Sequence, residues 1–167
     1  ETASINLDST RLIAEVCDKL EIGRLVFASS CSVYGAGVDE ILFETSELAP
    51  VSLYAQTRID SEAILHEYRD RLSIVILRLA TVFGLSPRMR LDLIVNTFAS
   101  QAFFNRRIRV FGGGQWRPNL HVQDAAAAFM RAAEAPDDIA GGETFNVPLA
   151  PCVVKATVSA TASCADL

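Results

Sequence analysis

Between Arg24 and Arg58 the chain runs RLVFASSCSVYGAGVDEILFETSELAPVSLYAQTR, and no other stretch limits the fold as tightly. It opens on Leu25-Val26-Phe27-Ala28, an apolar run that reads as a buried strand over 24–29. The run empties into the hydroxyls of Ser29, Ser30 and Ser32, then Tyr34 ahead of Gly35. A surface loop is predicted over 36–53, and its carboxylates Asp39, Glu40, Glu44 and Glu47 suit a solvated connection. Tyr54 and Arg58 then stand four apart at the start of a helix predicted over 54–71, so a phenol and a fixed cation share one face. A cation beside a tyrosine favours the phenolate. A tyrosine in that setting can exchange protons while a strand-end serine such as Ser30 holds the same oxygen. The plainer alternative for Tyr54 is a packed tyrosine at a helix start.

The rest of the chain alternates helix and strand. A helix is predicted over 4–20, with Ile13, Val16, Cys17 and Leu20 on one stripe, Asp8 or Ser9 capping its first turn and Gly23 stopping it. On helix 54–71, positions 54, 58, 61, 65, 68 and 72 form one face, with Leu65, Tyr68 and Leu72 burying its far end. Residues 73–79 (SIVILRL) form the most apolar strand, the pattern of a parallel strand covered on both faces. Helix followed by strand then predicts an α/β chain, part of a doubly wound parallel sheet. Residues 80–84 leave the carboxyl end of that strand, the edge where open α/β sheets bind ligands.

A loop with Arg88 and Arg90 leads to a helix predicted over 91–104, set by Leu91, Ile94, Val95, Phe98 and Ala102. The alternation of 107–111 (RIRVF) predicts a half-exposed strand, and Gly112-Gly113-Gly114 a turn. Residues 117–124 lead into an alanine-rich helix to about 135, with Asp124 as its cap, and 143–147 is a last strand. The tail, 151–167, is rich in Ala, Thr and Ser without a helical stripe, and no structure is assigned to it.

Composition narrows the function classes. The chain has 167 residues, half of them hydrophobic and 21% charged, which suits a globular domain with a real core. A net charge of -5 argues against nucleic acid as the main partner. No apolar run approaches the ~20 residues a membrane span needs, so no membrane association is expected. Cys17, Cys31, Cys152 and Cys164 form no C-x-x-C pair, and His66 and His121 are the only histidines, so no metal site is expected. Reduced thiols and a cytoplasmic location are the expectation. His66 reads as a surface residue and His121 as structural.

Ser-Ser-Cys-Ser-Val-Tyr-Gly (29–35) followed by Ser-Leu-Tyr-Ala-Gln-Thr-Arg (52–58) resembles the extended short-chain dehydrogenase/reductases. More narrowly, it resembles their NAD-dependent nucleotide-sugar epimerase/dehydratase branch. Leu-His-Val-Gln-Asp-Ala (120–125) and Glu-Thr-Phe-Asn-Val (143–147) are similar to later segments of the same family, so the resemblance covers roughly 4–149. It implies a partial Rossmann-like fold. Residues 1–84 would be the later portion of the dinucleotide-binding domain with the catalytic motif. Residues 85–149 would be the substrate-binding portion, and 150–167 an atypical tail. The family's glycine-rich turn does not precede Arg24, so the chain is expected to be a fragment, inactive alone, with an exposed apolar sheet edge.

The resemblance also implies roles, residue by residue. Tyr54 would be the acid/base, with hydride moving to and from nicotinamide, and Ser30 its partner on the substrate hydroxyl. Arg58 stands where the family has lysine; arginine keeps the charge but is planar and bulkier. Cofactor contacts are expected from Asn6, Ser29, Tyr54, Arg58, Ala80 and Val82, with NAD favoured over NADP. Substrate contacts are expected from Ser30, Cys31, Ser32, Arg90 and Arg117, the last on the diphosphate of a nucleotide sugar. Cys31 and Ser32 replace the dehydratases' Asp-Glu pair, which favours epimerisation over 4,6-dehydration. A sugar-nucleotide reductase or dehydrogenase, or a truncated non-catalytic member, are the alternatives. A homodimer is compatible with the resemblance.

Overall fold

The computed structural model describes residues 2–35, 41–111 and 118–148. Helix α1 (Thr2–Lys19) leads into β1 (Arg24–Ser30), which ends in a 3₁₀ turn, Cys31–Tyr34. Helix α2 (Leu53–His66) precedes β2 (Ser73–Leu79) and the short β3 (Thr81–Phe83). Then come α3 (Ile94–Asn105), β4 (Asn119–His121), α4 (Val122–Glu134), the one-turn α5 (Asp137–Ala140) and β5 (Thr144–Val147). Strands β1, β2 and β5 form a parallel sheet in that order, and β3 pairs with β4, also in parallel.

The apolar run of β2 is buried as its sequence predicts, with Ile74, Val75, Ile76 and Leu77 all at most 3% exposed. Alternate side chains serve opposite faces. Ile74 and Ile76 meet Leu25 and Phe27 of β1 under a layer from α1 and α2, including Ala14, Ile64 and Leu65, joined by Tyr68 from the turns after α2. Val75, Leu77 and Val26 pack on the other side against Ala128, Phe129 and Ala132 of α4. Helices on both faces of a parallel sheet make this the expected α/β, doubly wound arrangement.

Several local expectations are corrected. In α1 the buried line runs through Thr10 (5% exposed) and Ala14 (0%), and Ile13 (51%) and Leu20 (67%) stand in the open. Asp8 and Ser9 lie well inside α1 and cap nothing; the Ser9 hydroxyl donates to the Ile5 and Asn6 carbonyls. Helix α2 ends at His66, and turns carry the chain to Leu72, although Leu65, Tyr68 and Leu72 are buried as expected. The α4 cap is His121, whose Nδ1 accepts the Gln123 N–H, and Asp124 sits in the first turn instead. Residues 107–111 form no strand: the Arg109 N–H is taken by the Gln101 side chain at 2.8 Å, and no neighbouring strand receives it. No helix among the described residues is long and apolar enough to cross a membrane. Gly112–Gly114, Asp39, Glu40, Arg117, Cys152, Cys164 and the 150–167 tail lie outside the described residues.

Candidate active site

The carboxyl end of β1 delivers its hydroxyls through a tight turn. Ser30, extended at φ -145°, caps the 3₁₀ turn by accepting the Ser32 N–H at 3.2 Å. Gly35 closes the turn at φ +81°, and a Cβ there would fall 2.0 Å from the Ala49 carbonyl oxygen. That close approach lets the Ala49 N–H donate to the Val33 carbonyl at 3.0 Å, bringing the chain back toward α2. Ser52 then caps α2 by accepting the Ala55 N–H at 3.1 Å. Tyr54 therefore sits in the first helical turn with its side chain 46% exposed.

Arg58 is the best-held cation of the site. Its guanidinium lies 5.0 Å from the centroid of the Tyr54 ring and 5.6 Å from that of Phe27. It donates to Asn6 Oδ1 at 2.9 Å and to the Ala28 carbonyl at 3.3 Å. Asn6 in turn donates to Thr57 Oγ1 at 2.9 Å, and that hydroxyl donates to the Tyr54 carbonyl at 2.8 Å. Three residues singled out in the sequence, Asn6, Tyr54 and Arg58, thus form one cluster at the end of β1. Arg58 Nε is buried without a hydrogen-bond partner, as is Ser32 Oγ.

The other expected contacts are more dispersed. Ser29 is 3% exposed and donates its hydroxyl to Glu62, so its side chain is spent in the core. Ala80 is buried against Leu120 and Ala125, with Val82 half-buried beside them. Cys31 donates its thiol to the Arg78 carbonyl at 3.1 Å, and burial pushes its pKa up to about 11. Arg90 is exposed and paired with Asp92 through two bonds of 3.1 and 2.6 Å.

Beneath the cluster lies a network that the sequence reading passed over. Arg78 donates to both oxygens of Glu62, at 3.1 and 2.7 Å, with both side chains almost fully buried. It also donates to the Tyr34 hydroxyl at 2.8 Å and to the Glu44 carbonyl at 3.1 Å. Tyr34 donates on to Asn146 of β5 at 2.7 Å. Burial works against the Arg78 charge, but its bonds to Glu62 and Tyr34 prevail and hold its pKa above the ordinary arginine value. Burial likewise raises Tyr34, more than its bonds to Arg78 and Asn146 lower it. A signal was available: Arg78 is the one charge in an apolar strand, and such a charge demands a buried partner. Glu62 continues the Tyr54, Arg58 spacing by four more residues.

Comparisons with known proteins agree with this architecture. The NAD dependent epimerase/dehydratase family matches residues 1–148. A Bacillus subtilis (strain 168) protein named as an uncharacterized UDP-glucose epimerase, YtcB, is 32% identical over 148 residues, 87% of this chain and 45% of that protein. The structure of MoeE5 in complex with UDP-glucose and NAD has a TM-score of 0.75 at 30% identity, covering 86% of this chain and 48% of that one. UDP-glucuronic acid 4-epimerase from Bacillus cereus, in complex with UDP-glucuronic acid and NAD, has a TM-score of 0.74 at 27% identity, covering 86% and 45%. The chain spans about half the length of these relatives. With parallel strands wrapped by helices, a tyrosine and a cation at the carboxyl end of β1, and a match over 1–148, the chain belongs to the NAD-dependent epimerase/dehydratase family.

Proposed function

We propose that this chain is the catalytic and substrate-side portion of an NAD-dependent epimerase acting on a nucleotide sugar. The observation that carries the reading is the Arg58 guanidinium seated over the Tyr54 ring and pinned by Asn6 and the Ala28 carbonyl. Tyr54 takes a proton from a sugar hydroxyl at its phenolic oxygen and later returns it, and Ser30 hydrogen-bonds that hydroxyl. NAD, when bound, supplies the group that accepts and returns hydride at the sugar carbon. The chain's residues suit such a cofactor: Arg58 Nε is an orphaned buried donor, and a guanidinium fits ribose hydroxyls or a phosphate. Asn6 from α1, and Ser29, Ala80 and Val82 from the strand ends, would line the cofactor, Ser29 and Ala80 through their backbone.

Arg90 and Arg117 would hold the substrate's diphosphate, with the backbone of the turn at Cys31 and Ser32 beside the sugar, since the Cys31 thiol is bonded to the Arg78 carbonyl and Ser32 Oγ is buried. Cys31, a neutral thiol with a pKa of about 11, is no substitute for a carboxylate acid/base, which favours epimerisation over dehydration. Residues 1–84 would then serve cofactor and catalysis and 85–149 the substrate, in the cytoplasm. In the full-length protein, supplied with UDP-glucose as probe, Tyr54→Phe is expected to lower turnover by ~10²–10⁴-fold. Arg58→Lys, which restores the family residue, is expected to raise it. Native turnover by Tyr54→Phe would sink the proposed mechanism. The alternative, a reductase or dehydrogenase, predicts net rather than transient NADH absorbance.

A further inference from the structure

The loop over 84–90 carries no helix or strand, yet both its ends are tied to one side chain. Asn96, 8% exposed near the start of α3, accepts the Gly84 N–H through Oδ1 at 3.3 Å. Its Nδ2 donates to the Arg90 carbonyl at 3.0 Å. The neighbouring Thr97 hydroxyl donates to the Leu91 and Leu93 carbonyls at 2.6 and 2.8 Å, fixing the chain just beyond. The near end is also closely packed. Gly84 has φ +124°, and a Cβ there would lie 2.9 Å from both His121 Nε2 and Val122 Cγ1. At the far end the Arg90 guanidinium is oriented by Asp92 through bonds of 3.1 and 2.6 Å.

Only a carboxamide offers an acceptor and a donor on one planar group of this length. Aspartate would still accept from Gly84 but would set a carboxylate against the Arg90 carbonyl. The partners of Asn96 are the loop's backbone.

We propose that Asn96 is a positioning residue that closes the 84–90 loop and so presents Arg90 to the diphosphate of a nucleoside diphosphate ligand. The inference rests on the proposed nucleotide-sugar reading for its ligand, and on the two Asn96 hydrogen bonds for its mechanism. Loss of Asn96 frees the loop without loosening the sheet. It also costs affinity only through Arg90.

The test compares the full-length native protein with Asn96→Ala, Asn96→Asp, Arg90→Ala and the Asn96→Ala/Arg90→Ala double variant. Trypsin reports the loop by cleavage after Arg88 and Arg90, against cleavage after Arg131 in α4 as the internal control. Both Asn96 variants are expected to be cut about tenfold faster at the loop, the scale of a lost buried hydrogen-bond pair, with Arg131 unchanged. Calorimetry with UDP is expected to show about tenfold weaker binding for Asn96→Ala, and no further loss when Arg90→Ala is added. Acceleration equal at all three arginines, an unchanged loop rate, or additive losses of UDP affinity would each overturn the inference. Such a result, with UDP still bound by the native protein, would leave the proposed function standing. A native protein that ignores UDP overturns the ligand and the proposed substrate together, whereas loop-specific cleavage in the same samples would still uphold the closure by Asn96.

Discussion

Cys31 is held as a neutral thiol by its surroundings: burial first, with Glu44 acting in the same direction and Arg78 opposing. Its pKa rises from an ordinary 9.0 to about 11 in the folded chain. Between those values the unfolded chain gives up the proton and the folded chain keeps it. The folded state then binds more protons, so stability falls as pH rises through that window. The contribution is complete below pH 9 and gone above about pH 11. Urea unfolding across the window should show the native chain losing ~2 kcal/mol more than Cys31→Ala. Equal losses in the two proteins would refute the burial account. At this scale the sequence was most legible where contacts are local. Tyr54 and Arg58 share a helix face, and their stacking follows from four-residue spacing. The Asn6 and Phe27 contacts to Arg58 cross between elements and left no local pattern to read, whereas the lone charge of Arg78 in its apolar strand announced a buried partner without saying which.

Helix α1 shows how an element can be found while its ends are misplaced. Its apolar content made the helix legible, but the capping residues inferred from hydroxyl and carboxylate preferences fell inside it. Its real stop is Glu21, in the left-handed region at φ 51°. The Ile22 N–H reaches the Cys17 carbonyl at 2.9 Å and the Glu21 N–H the Asp18 carbonyl at 3.2 Å, the paired bonds of a helix end that favours glycine. The anticipated glycine, Gly23, comes two residues later. Glu21→Gly is expected to raise stability by ~0.5 kcal/mol, as relief of left-handed strain outweighs the added freedom of the unfolded chain. A thermal melt that moves downward would contradict this. The strand expected over 107–111 failed for a different reason. Alternation licenses a strand only where a neighbour accepts its backbone bonds, and Gln101 supplies that bond from a helix instead. The three-residue β3 and β4 are too short for periodicity to reveal.

At the scale of the whole molecule, Glu62 and Arg78 tie α2 to the middle strand, while Tyr34 and Asn146 extend the tie to β5. Removing one charge leaves the other buried and unpaired, which costs ~3–5 kcal/mol. Glu62→Gln should approach that loss in urea unfolding, and the double variant Glu62→Leu/Arg78→Met should recover much of it. A double variant as unstable as the single would mean that the network's hydrogen bonds matter more than its charges. Layer architecture was readable from the continuous apolarity of β2, since only cover on both faces accommodates it.

The pairing of β1 with β2 gives this ion pair a second consequence. Ser29 and Arg78 occupy the same rung of the parallel ladder and share Glu62. Their side chains follow Leu25, Phe27, Ile74 and Ile76 on the α1 and α2 face. A slip of one residue would turn β2 over, sending the guanidinium into the apolar layer against α4 and leaving Glu62 with leucine. The pair therefore acts as a key to the register: a misaligned strand forfeits a buried charge partner as well as its apolar contacts.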